Sequence, residues 1–151
     1  MESVRRANAK DAPQLAVLAG ELGYPATEDE VRRRLEELAR RAEHVVFVYE
    51  DARGVHGFVH AELVHGLVSS TFVEIASLVV AERERGRGLG VALLSRAEAW
   101  ARELGVGCVR LRSRSTRERA HAFYRRAGYA VVKTQLAFER ALEPRTEEGR
   151  R

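Results

Sequence analysis

The chain has little cysteine and lysine and no long hydrophobic run. Its one cysteine, Cys108, cannot form an internal disulfide and excludes a cysteine-rich metal site. The apolar residues around that cysteine predict a buried thiol on a strand. No apolar stretch approaches the roughly 20 residues of a membrane-spanning helix, and residues 1–6 lack the apolar segment of a signal peptide. Together these absences predict a soluble, cytoplasmic protein without a membrane partner.

The rest of the composition is that of a folded domain rich in arginine. Hydrophobic residues make up 45% of the 151 positions, which excludes wholesale disorder and suits one domain with one core. The net charge is +4, and the only lysines are Lys10 and Lys133. Arginines crowd residues 110–119. An anionic ligand or a solvated surface explains such a cluster, although a nucleic-acid-binding protein would also need one.

Apolar periodicity and turn signals predict strands alternating with helices around a mixed α/β sheet. Thr27 and Glu30 have the spacing of a helix capping box, and residues 51–54 have the composition of a hairpin turn. No repeat or linker interrupts the pattern. The predicted strands are 4–7, 45–50, 55–63, 71–80, 106–112, 129–132 and 134–139, and the predicted helices are 10–19, 27–41, 89–104 and 117–127.

The most informative segment is R-G-R-G-L-G at residues 85–90, which follows an apolar strand and opens a helix. Alternating glycines allow positive φ and a close approach of the backbone to a ligand. The helix that follows directs free N–H groups and its positive dipole end to the same place. The two arginines add charge that suits phosphate. The segment therefore predicts a pyrophosphate-binding loop.

Two common phosphate loops do not fit this segment. A Walker A loop ends in Gly-Lys-Ser/Thr, whereas Gly90 is followed by Val91 and Ala92. A dinucleotide fingerprint needs G-x-G-x-x-G with an acidic residue about 20 positions later. Here the spacing is G-x-G-x-G and the later region is basic.

Two motifs together resemble the GCN5-related N-acetyltransferase (GNAT) superfamily. Arg85, Gly88 and Gly90 match its Arg/Gln-x-x-Gly-x-Gly loop for acetyl-CoA. Residues 117–129 resemble its R-x-x-A-H-x-F-Y-x-x-x-G-Y helix and following turn. The motifs occur in the expected order with a strand between them, and the resemblance extends from Val4 to about Leu142.

The resemblance implies a GNAT fold: a mixed, mostly antiparallel central sheet flanked by helices, with strands four and five splayed apart. It implies a single domain over residues 1–142, followed by a charged tail at 143–151. It also implies acetyl-CoA as cosubstrate. The residues that it assigns to this cosubstrate are Leu78, Val79, Val80, Arg85, Gly86, Arg87, Gly88, Leu89, Gly90, Val91 and Arg117.

The chemistry of acetyl transfer needs a base for the amine, donors for the oxyanion and an acid for the leaving thiolate. Glu74, on the predicted central strand, matches the position of the superfamily's base, with Glu62 and His60 as alternatives. An arginine-paired surface carboxylate is the competing interpretation of Glu74. Tyr124 matches the tyrosine that faces the CoA sulfur and is the candidate acid, although helical tyrosines more often serve packing.

Two features depart from familiar patterns. Many relatives carry asparagine three residues before the arginine of the second motif, where this chain has Arg114. We therefore expect Arg114, Ser115 or Arg117 to reach the cofactor. The histidines at 56, 60 and 65, together with Glu62, match no zinc spacing, so no metal site is predicted. His121 is expected to pack or to bond locally.

The sequence therefore predicts an acetyl-CoA-dependent N-acetyltransferase that moves an acetyl group directly to a primary amine of a small molecule. The alternatives are a protein N-terminal or lysine acetyltransferase and a non-catalytic CoA-binding module. A basic mouth suits CoA, so nucleic acid is not expected as a partner. The acceptor amine and the oligomeric state stay open, and the resemblance allows a homodimer through C-terminal strands.

Overall fold

A computed structural model of the chain describes residues 3–143. Within that range five strands and four α-helices alternate, and short 3-10 helices lie at Ala9–Asp11 and Glu82–Glu84. The elements in order are β1 (Ser3–Arg6), α1 (Ala12–Leu22), α2 (Glu28–Ala39), β2 (His44–Asp51), β3 (Gly54–Val64), β4 (Phe72–Val80), α3 (Leu89–Glu103), β5 (Val109–Leu111) and α4 (Glu118–Arg126).

The strands form one sheet in the order β1-β2-β3-β4-β5. The first four are antiparallel to their neighbours and β5 is parallel to β4, which confirms the expected mixed, mostly antiparallel sheet. Residues 73–75 of β4 pair with residues 109–111 of β5, and β4 then continues to Val80. Within the unit that contains the sheet, pairing between these strands therefore ends where the resemblance implies a splay.

Helices cover both faces of the sheet. Successive strand residues point to opposite faces, and Phe58 packs against a buried cluster that includes Leu15 and Leu18 of α1. On the opposite face a Cβ added to Gly57 would lie 3.0 Å from Leu93 Cδ1 of α3. Leu93 is fully buried, and burial of such a side chain contributes roughly 1.5–3 kcal/mol. Thus α1 and α2 lie on one face of the sheet and α3 lies on the other.

The predicted capping box at the start of α2 is present. The Thr27 side chain accepts from Glu30 N at 3.1 Å, and the Glu30 carboxylate accepts from Thr27 N at 2.9 Å. These two bonds satisfy N–H groups that a helix otherwise leaves without partners. The preceding helix, α1, ends at Gly23, which has a left-handed φ of 98°.

Contacts divide the chain into two compact units, one ending at Arg112 and the other beginning at Ser113. The second contains α4 and the residues after it, which have no regular secondary structure as far as residue 143. The strands predicted at 129–132 and 134–139 are therefore wrong. Strand formation depends on pairing with a distant edge, and a local β-prone pattern does not encode that pairing. From residue 144 the predicted charged tail lies outside the described residues.

The fifth strand is also shorter than the predicted 106–112. It begins at Val109, and Cys108 lies just before it with an exposed side chain, so the prediction of a buried thiol is wrong. The backbone at this position is still anchored, because Cys108 O accepts a hydrogen bond from Val73 N at 3.0 Å. The apolar residues around Cys108 therefore indicated that a strand is near, but they did not indicate which side chains of that strand are buried.

Within residues 3–143 no helix combines the length and apolarity that crossing a bilayer requires.

Asp51 closes the turn between β2 and β3, as predicted. Its carboxylate accepts from Arg53 N at 2.8 Å and contacts His56 Nε2 at 2.7 Å. Burial opposes ionisation of Asp51, but these hydrogen bonds outweigh it and lower the pKa to about 2. A carboxyl group whose folded-state pKa is depressed stabilises the fold above its unfolded pKa of about 3.9, and that contribution is lost as pH falls through about 2.

We therefore expect Asp51→Asn to lower the melting temperature at pH 7, because the amide loses the charge-assisted bonds. The difference from the native chain should shrink as pH falls from about 4 to about 2. Thermal melting across this range measures it. Asp29→Asn is the matched control, since Asp29 is 88% exposed and pairs only at the surface with Arg32. A difference that is independent of pH would contradict the assignment.

Candidate functional site

The connection from β4 to α3 contains the glycine-rich motif. Gly86 and Gly88 have left-handed φ values of 83° and 85°, and Gly88 is the N-cap of α3. A Cβ at either position would meet no atom within 4 Å, so these glycines serve backbone conformation rather than a crowded contact. The first N–H groups of α3 lack intrahelical acceptors and form a favourable place for an anion.

The third glycine of the motif does not behave as expected. Gly90 lies inside the first turn of α3 and does not have a positive φ. The expectation of left-handed geometry therefore holds for Gly86 and Gly88 alone. Leu89, the first residue of the helix, is buried, whereas Val91 is 51% exposed on its first turn.

The two arginines of the motif differ in their surroundings. Arg85 is exposed. Arg87 is half exposed and donates from Nη1 to Oε2 of Glu84, a carboxylate that is only 3% exposed. The two arginines are therefore not equivalent phosphate ligands, and no motif in the sequence predicts this buried carboxylate beside the loop.

A bulge interrupts β4 before the residues assigned to the thioester. Ser77 pairs with His60 and Ile75 pairs with Ala61, so Ala76 is an extra residue in the strand. Bulges redirect the backbone groups that follow them. Beyond the bulge Leu78, Val79 and Val80 pair with Val59, Phe58 and Gly57 of β3.

Glu74 lies on β4 between two strands of the sheet, opposite Glu62 of β3 and Arg110 of β5. Its side chain is 15% exposed and makes a two-point ion pair with Arg112, with Nε to Oε1 and Nη2 to Oε2 both at 3.2 Å. The competing interpretation of an arginine-paired carboxylate therefore describes the resting geometry. That pairing also fixes the orientation of the carboxylate.

Two histidines extend this polar region across the sheet. His44 Nδ1 lies 3.0 Å from His60 Nε2, and His44 Nε2 lies 3.7 Å from Glu62 Oε2. Burial, and then the neighbouring charge of His44, lower the pKa of His60 to about 4. His60 is therefore uncharged at neutral pH. No local sequence pattern pairs it with His44, which lies 16 positions away in the chain. Among the described residues no group of three or more His, Cys, Asp or Glu side chains could hold a metal ion.

His60 also lines two recesses between α2 and the sheet. One, of about 110 Å³, is mostly apolar and includes Val31, Phe58 and Ser77. The other, of about 570 Å³, is bordered by charged α2 side chains, among them Arg33 and Glu37. His60 therefore borders open space between α2 and the sheet.

In the second unit, Tyr124 lies on α4 among aromatic rings. Its ring makes edge contacts with Phe123 and Tyr129, at centroid distances of 5.3 and 6.2 Å. Burial raises the pKa of Tyr124, and this effect outweighs the positive charge of Arg117, which lowers that pKa. The phenol is therefore protonated at neutral pH, which is the form a general acid requires.

The start of α4 is held by a local bond. His121 Nε2 lies 2.7 Å from the carbonyl oxygen of Arg114, in agreement with the expectation that His121 bonds locally. Arg117 is exposed at the N-cap of the helix. Of the clustered arginines in the first unit, Arg112 pairs with Glu74, and Arg110 stacks 4.2 Å from the Phe72 ring centre.

The acetyltransferase (GNAT) family model matches residues 9–129. The chain belongs to the GNAT family. It is an N-acetyltransferase, an enzyme that transfers an acetyl group to an amine. The family match includes both the glycine-rich loop and the helix that carries Tyr124.

Relatives of this GNAT enzyme cover nearly its whole length. An aminoglycoside N(6′)-acetyltransferase type 1 from Stenotrophomonas maltophilia is 33% identical over 151 residues, with 94% of this chain and 95% of the relative covered. The structure of a transcriptional regulator from Bacillus halodurans C-125 matches with a TM-score of 0.82 at 20% identity, covering 92% of this chain and 99% of that one. The structure of the aminoglycoside N-acetyltransferase AAC(6′)-Iy in complex with CoA matches with a TM-score of 0.83 at 16% identity, covering 94% and 96%. At these identities the structural matches show the fold.

Proposed function

We propose that this GNAT enzyme uses acetyl-CoA as donor and binds its pyrophosphate at residues 85–91. The observation that carries the proposal is the left-handed pair Gly86 and Gly88 at the N-terminus of α3. Such a backbone directs N–H groups at a phosphate without interference from a side chain. Arg85 and Arg87 add positive charge, and Arg117 is the proposed contact from the second motif. The proposed location is the cytoplasm, since acetyl-CoA is an intracellular thioester.

Acetyl-CoA supplies the activated acetyl group. We propose that backbone N–H groups at Leu78, Val79 and Val80 bind the pantetheine arm and polarise the thioester carbonyl. Glu74 accepts the proton that the amine loses as its nitrogen bonds to the carbonyl carbon. Tyr124 donates a proton to the sulfur as the C–S bond breaks, and then regains one from solvent. What supports the role of Glu74 is its place on β4 and the ion pair with Arg112, which fixes the orientation of its carboxylate.

The proposed acceptor is a primary amine of a small molecule. The aminoglycoside acetyltransferase from Stenotrophomonas maltophilia supports this class, and aminoglycosides are the first acceptors to test. The larger recess beside His60, of about 570 Å³, falls within the range of small-molecule pockets. The alternatives are a protein N-terminus or lysine as acceptor and a CoA-binding module without activity.

An acetyl-CoA turnover assay over a panel of amines tests the proposal. The panel contains aminoglycosides, simple diamines and a peptide with a free N-terminus and one lysine. Turnover of a small amine supports the proposed class, whereas turnover of the peptide alone supports the protein-acetylating alternative. Binding of CoA without turnover of any amine would support the non-catalytic alternative.

We further propose that residues 1–142 form one GNAT domain with the tail at 143–151 outside it. The family match supports this extent, because it runs from residue 9 to residue 129 and so includes parts of both units.

A homodimer is the proposed assembly, since Val132, Leu136 and Phe138 expose 80% or more of their surface in the single chain. Light scattering after gel filtration measures the mass in solution.

Tyr124→Phe should lower kcat by roughly 10²-fold, the lower end of what a general acid contributes, because the ring still packs while the proton donor is lost. CoA affinity and melting temperature should stay close to the native values. Steady-state kinetics and calorimetry on the same preparation measure both quantities. Tyr49→Phe on β2 is the matched control and should leave kcat unchanged. Equal kcat in the Tyr124→Phe and native enzymes would make Tyr124 a packing residue.

A further inference from the structure

A buried carboxylate lies directly before the glycine-rich loop. Glu84 is 2% exposed, although it sits in a short 3-10 helix between exposed Glu82 and Arg83 and the exposed Arg85. Burying an ionised carboxylate is costly unless charged partners and hydrogen bonds compensate for the lost water. The burial of Glu84 therefore requires charged groups that donate hydrogen bonds to its carboxylate.

Both oxygens of Glu84 are bound by arginines from different parts of the chain. Oε2 accepts from Arg87 Nη1, inside the loop, and Oε1 accepts from Arg53 Nη2, in the β2–β3 turn, at 2.8 Å. Burial opposes ionisation of Glu84, yet the hydrogen bond from Arg87 and the charges of Arg53 and Arg87 lower its pKa. The group is therefore a carboxylate that joins the turn to the loop.

These contacts continue into the sheet. Arg53 Nη2 also lies 3.3 Å from Asp51 Oδ2, and Asp51 Oδ1 lies 2.7 Å from Nε2 of His56, a buried residue of β3. We call Asp51, Arg53, His56, Glu84 and Arg87 the Glu84 network. Asp51 and His56 belong to the paired strands β2 and β3, whereas Arg87 lies between two glycines.

We propose that Glu84 is a positioning residue for pyrophosphate binding, which makes CoA affinity depend on Arg53 in the distant turn. Gly86 and Gly88 both hold left-handed conformations, and glycine loses more backbone entropy on ordering than any other residue. The Arg87 side chain is the anchor between them, and Glu84 holds that anchor before the ligand arrives. Ordering a loop in advance increases affinity because binding then costs less entropy. The inference rests on the proposed binding of CoA at this loop.

Charge-matched variants distinguish the positioning of Arg87 by Glu84 from the general effect of a charge change near the loop. Glu84→Gln removes the buried carboxylate, and Glu82→Gln makes the same charge change at an exposed position in the same 3-10 helix. Arg53→Ala removes the hydrogen bond from the β2–β3 turn to Glu84, while the pair between Glu84 and Arg87 remains. Arg83→Ala removes an exposed arginine from the 3-10 helix that precedes the loop.

Isothermal titration with CoA gives the first measurement. We expect Glu84→Gln to raise the Kd roughly tenfold, which is the size of one charge-assisted hydrogen bond. Arg53→Ala should raise the Kd several-fold, and the two controls should stay within about twofold of the native value. Thermal melting establishes that each variant is folded. If Glu84→Gln does not fold, Arg53→Ala carries the test.

S-acetylpantetheine gives the second measurement, because this donor lacks the pyrophosphate. With an amine that the panel has identified, kcat/KM for S-acetylpantetheine should be the same in native and Glu84→Gln enzymes. If Glu84→Gln lowers kcat/KM equally for acetyl-CoA and S-acetylpantetheine, the substitution damages the enzyme generally, and the proposed positioning role of Glu84 is wrong. Unchanged CoA affinity in folded Glu84→Gln and Arg53→Ala would overturn it as well. Failure of the native enzyme to bind CoA would instead contradict the proposed function.

Discussion

Gly88→Val is expected to weaken binding of CoA roughly 100-fold. Gly88 has a φ of 85° at the N-cap of α3, a conformation that is strained for any β-branched residue by about 1–3 kcal/mol. Open space surrounds the missing Cβ, so the cost is conformational and the loop relieves it by changing shape. That change would turn the helix N–H groups away from the pyrophosphate, and the valine would also block the close approach.

Isothermal titration with CoA measures this effect, and Gly105→Val is the matched control. Gly105 follows α3 with a φ of 75° and equally open surroundings. Both substitutions should therefore lower the melting temperature by similar amounts, whereas only Gly88→Val should weaken CoA binding. Unchanged affinity in folded Gly88→Val protein would show that CoA does not use this loop.

Local features of the fold could be predicted from the sequence because neighbouring residues determine them. The capping box of α2 needs only Thr27 and Glu30, and the turn at Asp51 needs only residues 51–54. The glycine-rich loop was recognisable for the same reason, since its geometry follows from glycines within one short segment. Gly90 was the exception, because the helix begins one residue before it.

Features that depend on distant residues could not be predicted. The ion pair between Glu74 and Arg112 joins residues 38 positions apart, and that between Arg53 and Glu84 joins residues 31 apart. Periodicity identifies a strand and its faces but not the partner of a charged side chain across the sheet. The predicted final strands failed for a related reason, because β-prone residues form a strand only where an edge is available.

Glu74→Gln is expected to lower kcat by roughly 10²–10⁴-fold, the usual contribution of a general base. Glutamine keeps the shape of the side chain and removes its ability to accept a proton. The acidic limb of the pH–rate profile should disappear with it, because the variant has no carboxylate at position 74 to accept the proton of the amine. CoA affinity should be unchanged, because the substitution lies on the strand and outside residues 78–91.

Glu62→Gln is the informative comparison, because Glu62 lies directly opposite Glu74 and is the alternative base. If Glu74 is the base, Glu62→Gln should retain most of kcat and the acidic limb. A larger loss in Glu62→Gln than in Glu74→Gln would transfer the role to Glu62, near His44. If both variants keep kcat and the acidic limb, the amine arrives uncharged, and the pair between Glu74 and Arg112 serves only to join β4 to the end of β5.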